Sequence, residues 1–240
     1  MIKKRISLAV VMTALMSISS NLRAEPEAPS QVKLIEILFE EVEPGIAPYT
    51  SRILLNEAIM RLDNGRDDSD YILFNRQTHE IHSFNHEDQT HLIINPTVSE
   101  QLDFEIDFKV TTVALKDAPK VSGEVVIQHQ FYVDSQLCKK SMNVTKLLPD
   151  AKLALIEYEA ALVRQNITTL DNIPVSMRKG CYMANNYLHA SAYLKPGFPL
   201  LVIDDEGRQK KLMDFSEVKK NRSIIQPPAD YRVYYASKPS

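Results

Sequence analysis

The chain contains one stretch in which apolar and charged residues alternate strictly. Between Asp103 and Val110 the apolar residues Phe104, Ile106, Phe108 and Val110 occupy every second position, and the positions between them are charged. Because successive side chains of a strand point to opposite faces, this pattern predicts a strand with one apolar and one solvated face. The apolar face lines either a packed core or a concave ligand surface, and the alternation is the same for both.

Short apolar runs separated by polar turns indicate further strands on both sides of this stretch. Before it the runs cover residues 32–39, 52–55, 58–63, 71–74, 80–84 and 90–94, and after it a run covers residues 125–133. Such spacing is typical of an antiparallel meander, which we predict over residues 32–133. His129 lies on the apolar face of the last run, where we expect a hydrogen-bonded core histidine rather than a ligand.

The spacing of apolar residues changes at Pro149. Ala151, Leu155 and Tyr158 recur at helical intervals, and no glycine or further proline interrupts the segment up to Gln165. Proline suits the first turn of a helix because the N–H group that it lacks would have no partner there. The pattern therefore predicts one long helix over residues 149–165.

These elements together predict an α+β fold. We expect a curved antiparallel sheet, forming an unclosed half-barrel, that is covered by one or two helices. The meander over 32–133 is followed by a helical insert over 149–194 and by C-terminal strands over 200–235. A single β-rich domain over residues 25–240 accommodates all of them.

Residues 1–24 have the three parts of a secretory signal. Lys3–Arg5 form a basic start, residues 6–18 form an apolar run, and the small residue Ala24 ends the segment. About 13 apolar residues are too few to cross a bilayer, which needs roughly 20. We therefore expect cleavage after the signal and a periplasmic or secreted location.

Composition and missing motifs exclude several classes of function. Removal of residues 1–24 leaves 24 basic against 31 acidic residues, a net charge of about −7, which disfavours nucleic-acid binding because that binding depends on neutralising phosphates. The six glycines lie too far apart for a GxGxxG dinucleotide-binding loop or a GxxxxGK phosphate-binding loop. No pairing of a nucleophile with a base stands out, so we expect no cofactor and no enzymatic activity.

Two cysteines, Cys138 and Cys181, are present in the chain. In an oxidising compartment two cysteines are usually partners, so we predict a disulfide between them. The bridge would close a loop that contains the predicted helix. It would stabilise the fold by about 4 kcal/mol in the chain-entropy description.

Four of the six histidines fall between residues 79 and 91. If residues 85–88 connect two strands, His82 lies directly opposite His91, about 5 Å away at Cβ. Two imidazoles at that distance bind one Zn²⁺ or Cu²⁺, and Glu80 on the same face would supply a carboxylate. We expect this face to point towards solvent, where paired histidines also occur without a metal.

A set of basic residues near the C-terminus contrasts with the acidic character of the chain. It comprises Arg208, Lys210, Lys211, Lys219, Lys220 and Arg222. Such a set is either a docking surface, which would bind anionic lipids or an acidic partner, or simply a solvated face.

Three short runs carry a resemblance to a known family. Met60–Asp63, Tyr71–Arg76 and Ile81–Phe84 resemble the paired strands of the LolA/LolB-like superfamily of bacterial periplasmic lipoprotein carriers and of its exported relatives. The resemblance implies a curved, unclosed barrel whose concave apolar face is covered by helices and accepts acyl chains.

The expected function follows from this resemblance. We expect an exported binding or carrier protein that holds a lipid or another apolar ligand, with Phe104, Ile106, Phe108 and Val110 as candidate lining residues. The alternatives are a periplasmic metal-binding protein that uses the histidine pair and a structural partner-binding module without a ligand.

Overall fold

A computed structural model describes residues 30–96, 102, 104–115, 118 and 120–236. The predicted signal peptide and Asp103 lie outside the described residues. Twelve strands are present in the described part of the chain: β1 Gln31–Val42, β2 Tyr49–Leu55, β3 Ile59–Asp63, β4 Tyr71–Asn75, β5 Ile81–Asn85, β6 Thr90–Ile94, β7 Phe108–Ala114, β8 Ile127–Val133, β9 Gln136–Val144, β10 Phe198–Asp204, β11 Gln209–Asn221 and β12 Arg232–Tyr235.

All twelve strands belong to one open sheet. Its order is β12-β6-β5-β4-β3-β2-β1-β11-β10-β9-β8-β7. Neighbours are antiparallel except β12, which runs parallel to β6. The sheet is not closed, so the predicted α+β fold with a curved, unclosed antiparallel sheet is confirmed.

The helical residues form one long helix and a series of short turns. Helix α1 covers Pro149–Thr168 with the proline in its first turn, as predicted. Helix α2 covers Gly180–Met183, a π-helical turn follows over Ala184–Leu188, and a 3₁₀ turn covers Ala190–Leu194. None of the helices in the described ranges has the length and apolarity needed to span a membrane.

The main core lies between α1 and one face of the sheet, here called the inner face. Ala151, Ala154 and Ala161 of α1 are almost completely buried there. Most of the large side chains of this core come from the sheet, and α1 adds Leu155 and Tyr158. The sheet residues include Ile37, Phe39, Ile53, Leu55, Met60, Phe74 and Phe198. Period-two apolar positions on the strands and a small-residue stripe on the helix therefore account for the two-layer packing.

The two halves of the sheet are joined by a short ladder. Strand β10 pairs with β11 only over Leu201–Ile203 and Gln209–Lys211. Strand β11 continues beside β1 as far as Asn221. Most of β11 therefore has a strand neighbour on one side alone within the part of the chain that the structure describes.

The strand predicted over residues 103–110 is wrong in its first half. Strand β7 begins at Phe108, and residues 104–107 are irregular. The N–H of Asp134 donates to Asp107 O at 3.1 Å, and Asp134 Oδ1 accepts from the N–H of Asp107. Asp107 is therefore bonded to the β8–β9 turn, and the alternating pattern begins before the first residue of the strand.

Candidate functional site

The predicted histidine pair meets, although not in the predicted register. Phe84 lies opposite His91, and His82 lies opposite Ile93. The two histidines are diagonal neighbours on one face, and His82 Nδ1 lies 2.8 Å from His91 Nε2. One imidazole donates its N–H to the other in this contact.

The histidine face does not point into solvent, which corrects the expectation. His91 is 6% exposed and stacks on the ring of Phe84 at 4.2 Å between centroids. Burial lowers the pKa of both histidines; for His82 the nearby Glu80 carboxylate opposes the shift. Neutral imidazoles are therefore the favoured forms of the pair near pH 7.

Glu80 occupies a different side of His82 from His91. Its carboxylate oxygen lies 3.8 Å from His82 Nε2, whereas His91 contacts Nδ1. The carboxylate thus lies beside the other ring nitrogen and does not face the space between the two histidines. Among the described residues no group of three or more His, Cys, Asp or Glu side chains has the arrangement of a metal site.

The four candidate lining residues do not share one environment. Ile106 and Phe108 are partly buried and pack on the cluster around Val133 and the cysteines. Phe104 and Val110 are exposed. Two of the four, Phe104 and Ile106, line an open surface cavity of about 520 Å³, together with Glu105, Asp107, Asp134, Leu188 and His189.

The predicted disulfide is present. Cys138 on β9 and Cys181 on α2 are bonded, with their Cα atoms 5.1 Å apart. Both residues are almost fully buried. The loop between them contains α1, as expected from the positions of the two cysteines.

Most of the predicted basic surface is balanced by carboxylates. Lys210 pairs with Glu41 at 2.8 Å, and Arg208 pairs with Asp204 at 2.6 Å. Two longer contacts join Lys211 to Glu40 at 4.0 Å and Lys220 to Asp67 at 3.8 Å. These pairings reduce the local positive potential, and docking through this surface, including Lys219 and Arg222, stays a prediction.

A polar cleft that the sequence did not indicate lies on the inner side of the sheet, at the edge of the main core. Its walls come from α1, the 3₁₀ turn Ala190–Leu194 and strands β1, β9, β10 and β11. It encloses about 200 Å³ and is lined by Glu41, Glu43, Lys139, Glu159, Tyr193, Val202, Asp204, Arg208, Gln209 and Lys210.

Tyr193 is positioned in the cleft by a buried asparagine of β9. Asn143 Nδ2 donates to Tyr193 O at 2.8 Å and to Gly197 O at 2.9 Å. Gly197 adopts φ +153°, and a Cβ there would lie 2.5 Å from the carbonyl oxygen of Val144. Only glycine allows the chain to pass this close to β9, so the turn that carries Tyr193 is fixed by the backbone.

Two ionisable groups of the cleft are strongly affected by burial. Burial raises the pKa of Glu159, an effect opposed by the Lys139 ammonium and by the hydroxyl of Tyr193, which donates to Glu159 Oε1 at 3.0 Å. Burial lowers the pKa of Lys139, whose Nζ lies 4.7 Å from the centre of the Tyr193 ring. Perturbed groups that share a cleft are typical of binding and catalytic sites.

No sequence pattern marks this cleft, because its residues come from elements that are distant along the chain. Of its lining residues, Arg208 and Lys210 are the two that the sequence singled out, as members of the basic set near the C-terminus. The packing of α1 on the inner face brings Glu159 to the lysine. A single sequence does not predict which helix positions will lie beside which strands.

Comparison with known proteins gives no family assignment. No family model and no curated protein matches the chain. Among solved structures the chain is similar to PNGF-II in two crystal forms, at 12% identity with TM-scores of 0.42 and 0.40. The similarity covers 85% of this chain and 31% and 32% of those chains, so the chain spans about a third of their length.

Proposed function

We propose that the protein is an exported periplasmic binding or carrier protein that holds a lipid or another apolar ligand between its open sheet and α1. The observation that carries the proposal is the composition of this contact. The sheet contributes many large apolar side chains, whereas α1 contributes the alanines Ala151, Ala154 and Ala161 and two large buried side chains, Leu155 and Tyr158. An acyl chain in place of the helix would restore most of the burial of the sheet residues.

The contacts that attach α1 to the sheet support a role for this helix as a movable cover over the inner face. Arg76, at the start of the β4–β5 turn, binds Asp150 at 2.9 Å and Glu157 at 2.9 Å. The disulfide fixes the segment after the helix to β9. Release of the Arg76 contacts would free the first two turns of α1 while the chain stays tethered.

The proposal requires the helix to move when a ligand enters. Ile37, Leu55 and Phe74 on the inner face are inaccessible to solvent in the structure. The resemblance to the LolA/LolB-like superfamily supports the choice of an acyl chain as ligand. The apparent signal peptide and the disulfide support export.

Uptake of a fluorescent dodecanoate analogue tests the proposal, together with native mass spectrometry of protein isolated from its own compartment. We expect a co-purified lipid and faster uptake by Arg76→Ala than by wild type. Arg66→Ala is the matched control, because Arg66 pairs with Asp68 on the exposed surface away from α1. Absence of both a co-purified lipid and uptake in all three proteins would contradict the proposal.

A metal-binding protein is the second candidate, and the 2.8 Å contact of His82 with His91 favours it. Tetrahedral Zn²⁺ at about 2.05 Å from each nitrogen needs them about 3.3 Å apart, a change of roughly half an ångström. Calorimetric titration of metal-free protein with Zn²⁺ and Cu²⁺ tests this candidate. Equal affinity of wild type and His82→Ala would remove the pair as ligands.

A further inference from the structure

The polar cleft beside α1 contains one cation, Lys139, that forms no close ion pair among the described residues, although the Glu159 carboxylate attracts it from a longer distance. In the described part of the chain, no carboxylate oxygen lies within 4.0 Å of Lys139 Nζ, and no hydrogen bond to it is formed. An ammonium group has three N–H donors to satisfy. Its position over the Tyr193 ring compensates only part of the cost of its burial.

The other cations of the cleft already form ion pairs. Glu41 binds Lys210, Asp204 binds Arg208, and Glu159 accepts from the Tyr193 hydroxyl. The fourth carboxylate, Glu43, accepts a hydrogen bond from Tyr49. The cleft therefore presents Lys139 as its free donor group.

The size and charge of the cleft limit what it accepts. A volume of about 200 Å³ corresponds to roughly seven water molecules at about 30 Å³ each. Four carboxylates line the cleft, and they would repel a dianion such as phosphate at neutral pH. Within the described ranges Lys139 is the lining cation without a close ion pair, so the cleft suits at most one negative charge, placed at the Lys139 ammonium.

We propose that this cleft binds the carboxylate group of an organic acid, with Lys139 as the residue that contacts the anion. The acid is either a small soluble molecule or the head of an acyl chain whose tail follows the inner face of the sheet. The carboxylate chemistry is common to both sources. The site does not depend on the proposed carrier function, and the titrations with short and long acids test the two separately.

Isothermal titration calorimetry with sodium hexanoate tests the site directly. We expect hexanoate to bind wild type and to lose roughly tenfold or more in affinity to Lys139→Met, because a hydrogen bond to a charged group is removed. Lys140→Met is the matched control, since Lys140 is the next residue on β9 and is exposed. It should bind hexanoate as wild type does.

Further variants and ligands keep the test decisive. Lys139→Gln removes the charge but keeps a donor, and it replaces Lys139→Met if that variant does not fold. Hexanol should bind more weakly than hexanoate to wild type. Absence of hexanoate binding to wild type, equal binding of hexanol, or unchanged affinity in both Lys139 variants would each overturn the site.

Long-chain ligands identify the source of the carboxylate. Tighter binding of dodecanoate than of hexanoate, lost in Lys139→Met, assigns the carboxylate to an acyl chain. Equal affinities for the two acids assign it to a small soluble acid. Dodecanol that binds as tightly as dodecanoate, with both unaffected by Lys139→Met, would overturn the carboxylate site and leave the carrier proposal standing.

Discussion

Reduction of the disulfide should weaken the fold by an amount that follows from the loop it closes. Cys138 and Cys181 are 43 residues apart. In the chain-entropy description a loop of this length restricts the unfolded chain by about 4 kcal/mol at 25 °C. Residual structure in the unfolded chain reduces this value, so we expect the free energy of unfolding to fall by about 2–4 kcal/mol.

Urea unfolding of oxidised and reduced wild-type protein measures this difference with no change of sequence. The double variant Cys138→Ser/Cys181→Ser should lose somewhat more, because it places two polar hydroxyl groups in an apolar cluster with Val133 and Ala184. Unfolding free energies of the oxidised and reduced protein that agree within about 1 kcal/mol would refute the reasoning. Two free thiols in denatured, unreduced protein would refute the bridge itself.

Hydrogen exchange locates the effect. The loop closed by the bridge contains α1, so amides of Pro149–Thr168 should exchange faster after reduction. Strands β2 to β6 lie outside the loop and serve as the internal control. Equal acceleration in the helix and in these strands would show that the bridge stabilises the whole sheet rather than the attachment of the helix.

Three other predictions concern buried groups. Asp63→Asn should lower the free energy of unfolding by about 3–5 kcal/mol, measured by urea unfolding, because it leaves two buried arginines without their carboxylate partner. Burial alone would raise the pKa of Asp63, but the hydrogen bonds from these arginines lower it. Gly197→Ala should lower the melting temperature, since its Cβ would clash with a carbonyl 2.5 Å away; an unchanged melting temperature would contradict this. Because the pKa values of His82 and His91 are lowered in the folded protein, their contribution to stability is fully present above pH 6.5 and is progressively lost below it. The free energy of unfolding should fall by at most about 1.4 kcal/mol per pH unit for each histidine. Urea midpoints of wild type that do not change between about pH 7.5 and 5 would contradict this prediction.

The elements that the sequence predicts correctly are those with a local signal. The period-two runs of strands β1 to β6 and β8 and the helical spacing after Pro149 carry their information within a few residues, and two cysteines allow one pairing. The single meander predicted over residues 32–133 is wrong, because β7 pairs with β8 at the opposite side of the sheet and not with β6. The run over 103–110 shows the limit of such signals. Its alternation is as regular as that of a strand, yet the backbone before Phe108 makes its hydrogen bonds to a turn.

The histidine pair shows how a small error in a turn propagates. The connection between β5 and β6 covers residues 86–89, because Asn85 pairs with Thr90 and its side chain caps the turn at Asp88 N. The predicted connection began one residue earlier, which displaces the pairing by two. A displacement by two keeps every side chain on its face, so His82 still meets His91, but diagonally.

The carboxylate site and the proposed cover are mechanically connected through α1. Glu159 is a residue of this helix, and its bond to Tyr193 closes one side of the cleft. Tyr193 itself is fixed to β9 through Asn143, so outward movement of the helix must break the Tyr193–Glu159 bond and open the cleft at the same time. Entry of an acyl chain beneath α1 and access of its carboxylate to Lys139 would therefore be one event. Dodecanoate should accordingly accelerate hydrogen exchange in α1, whereas hexanoate, which fits the cleft without displacing the helix, should not.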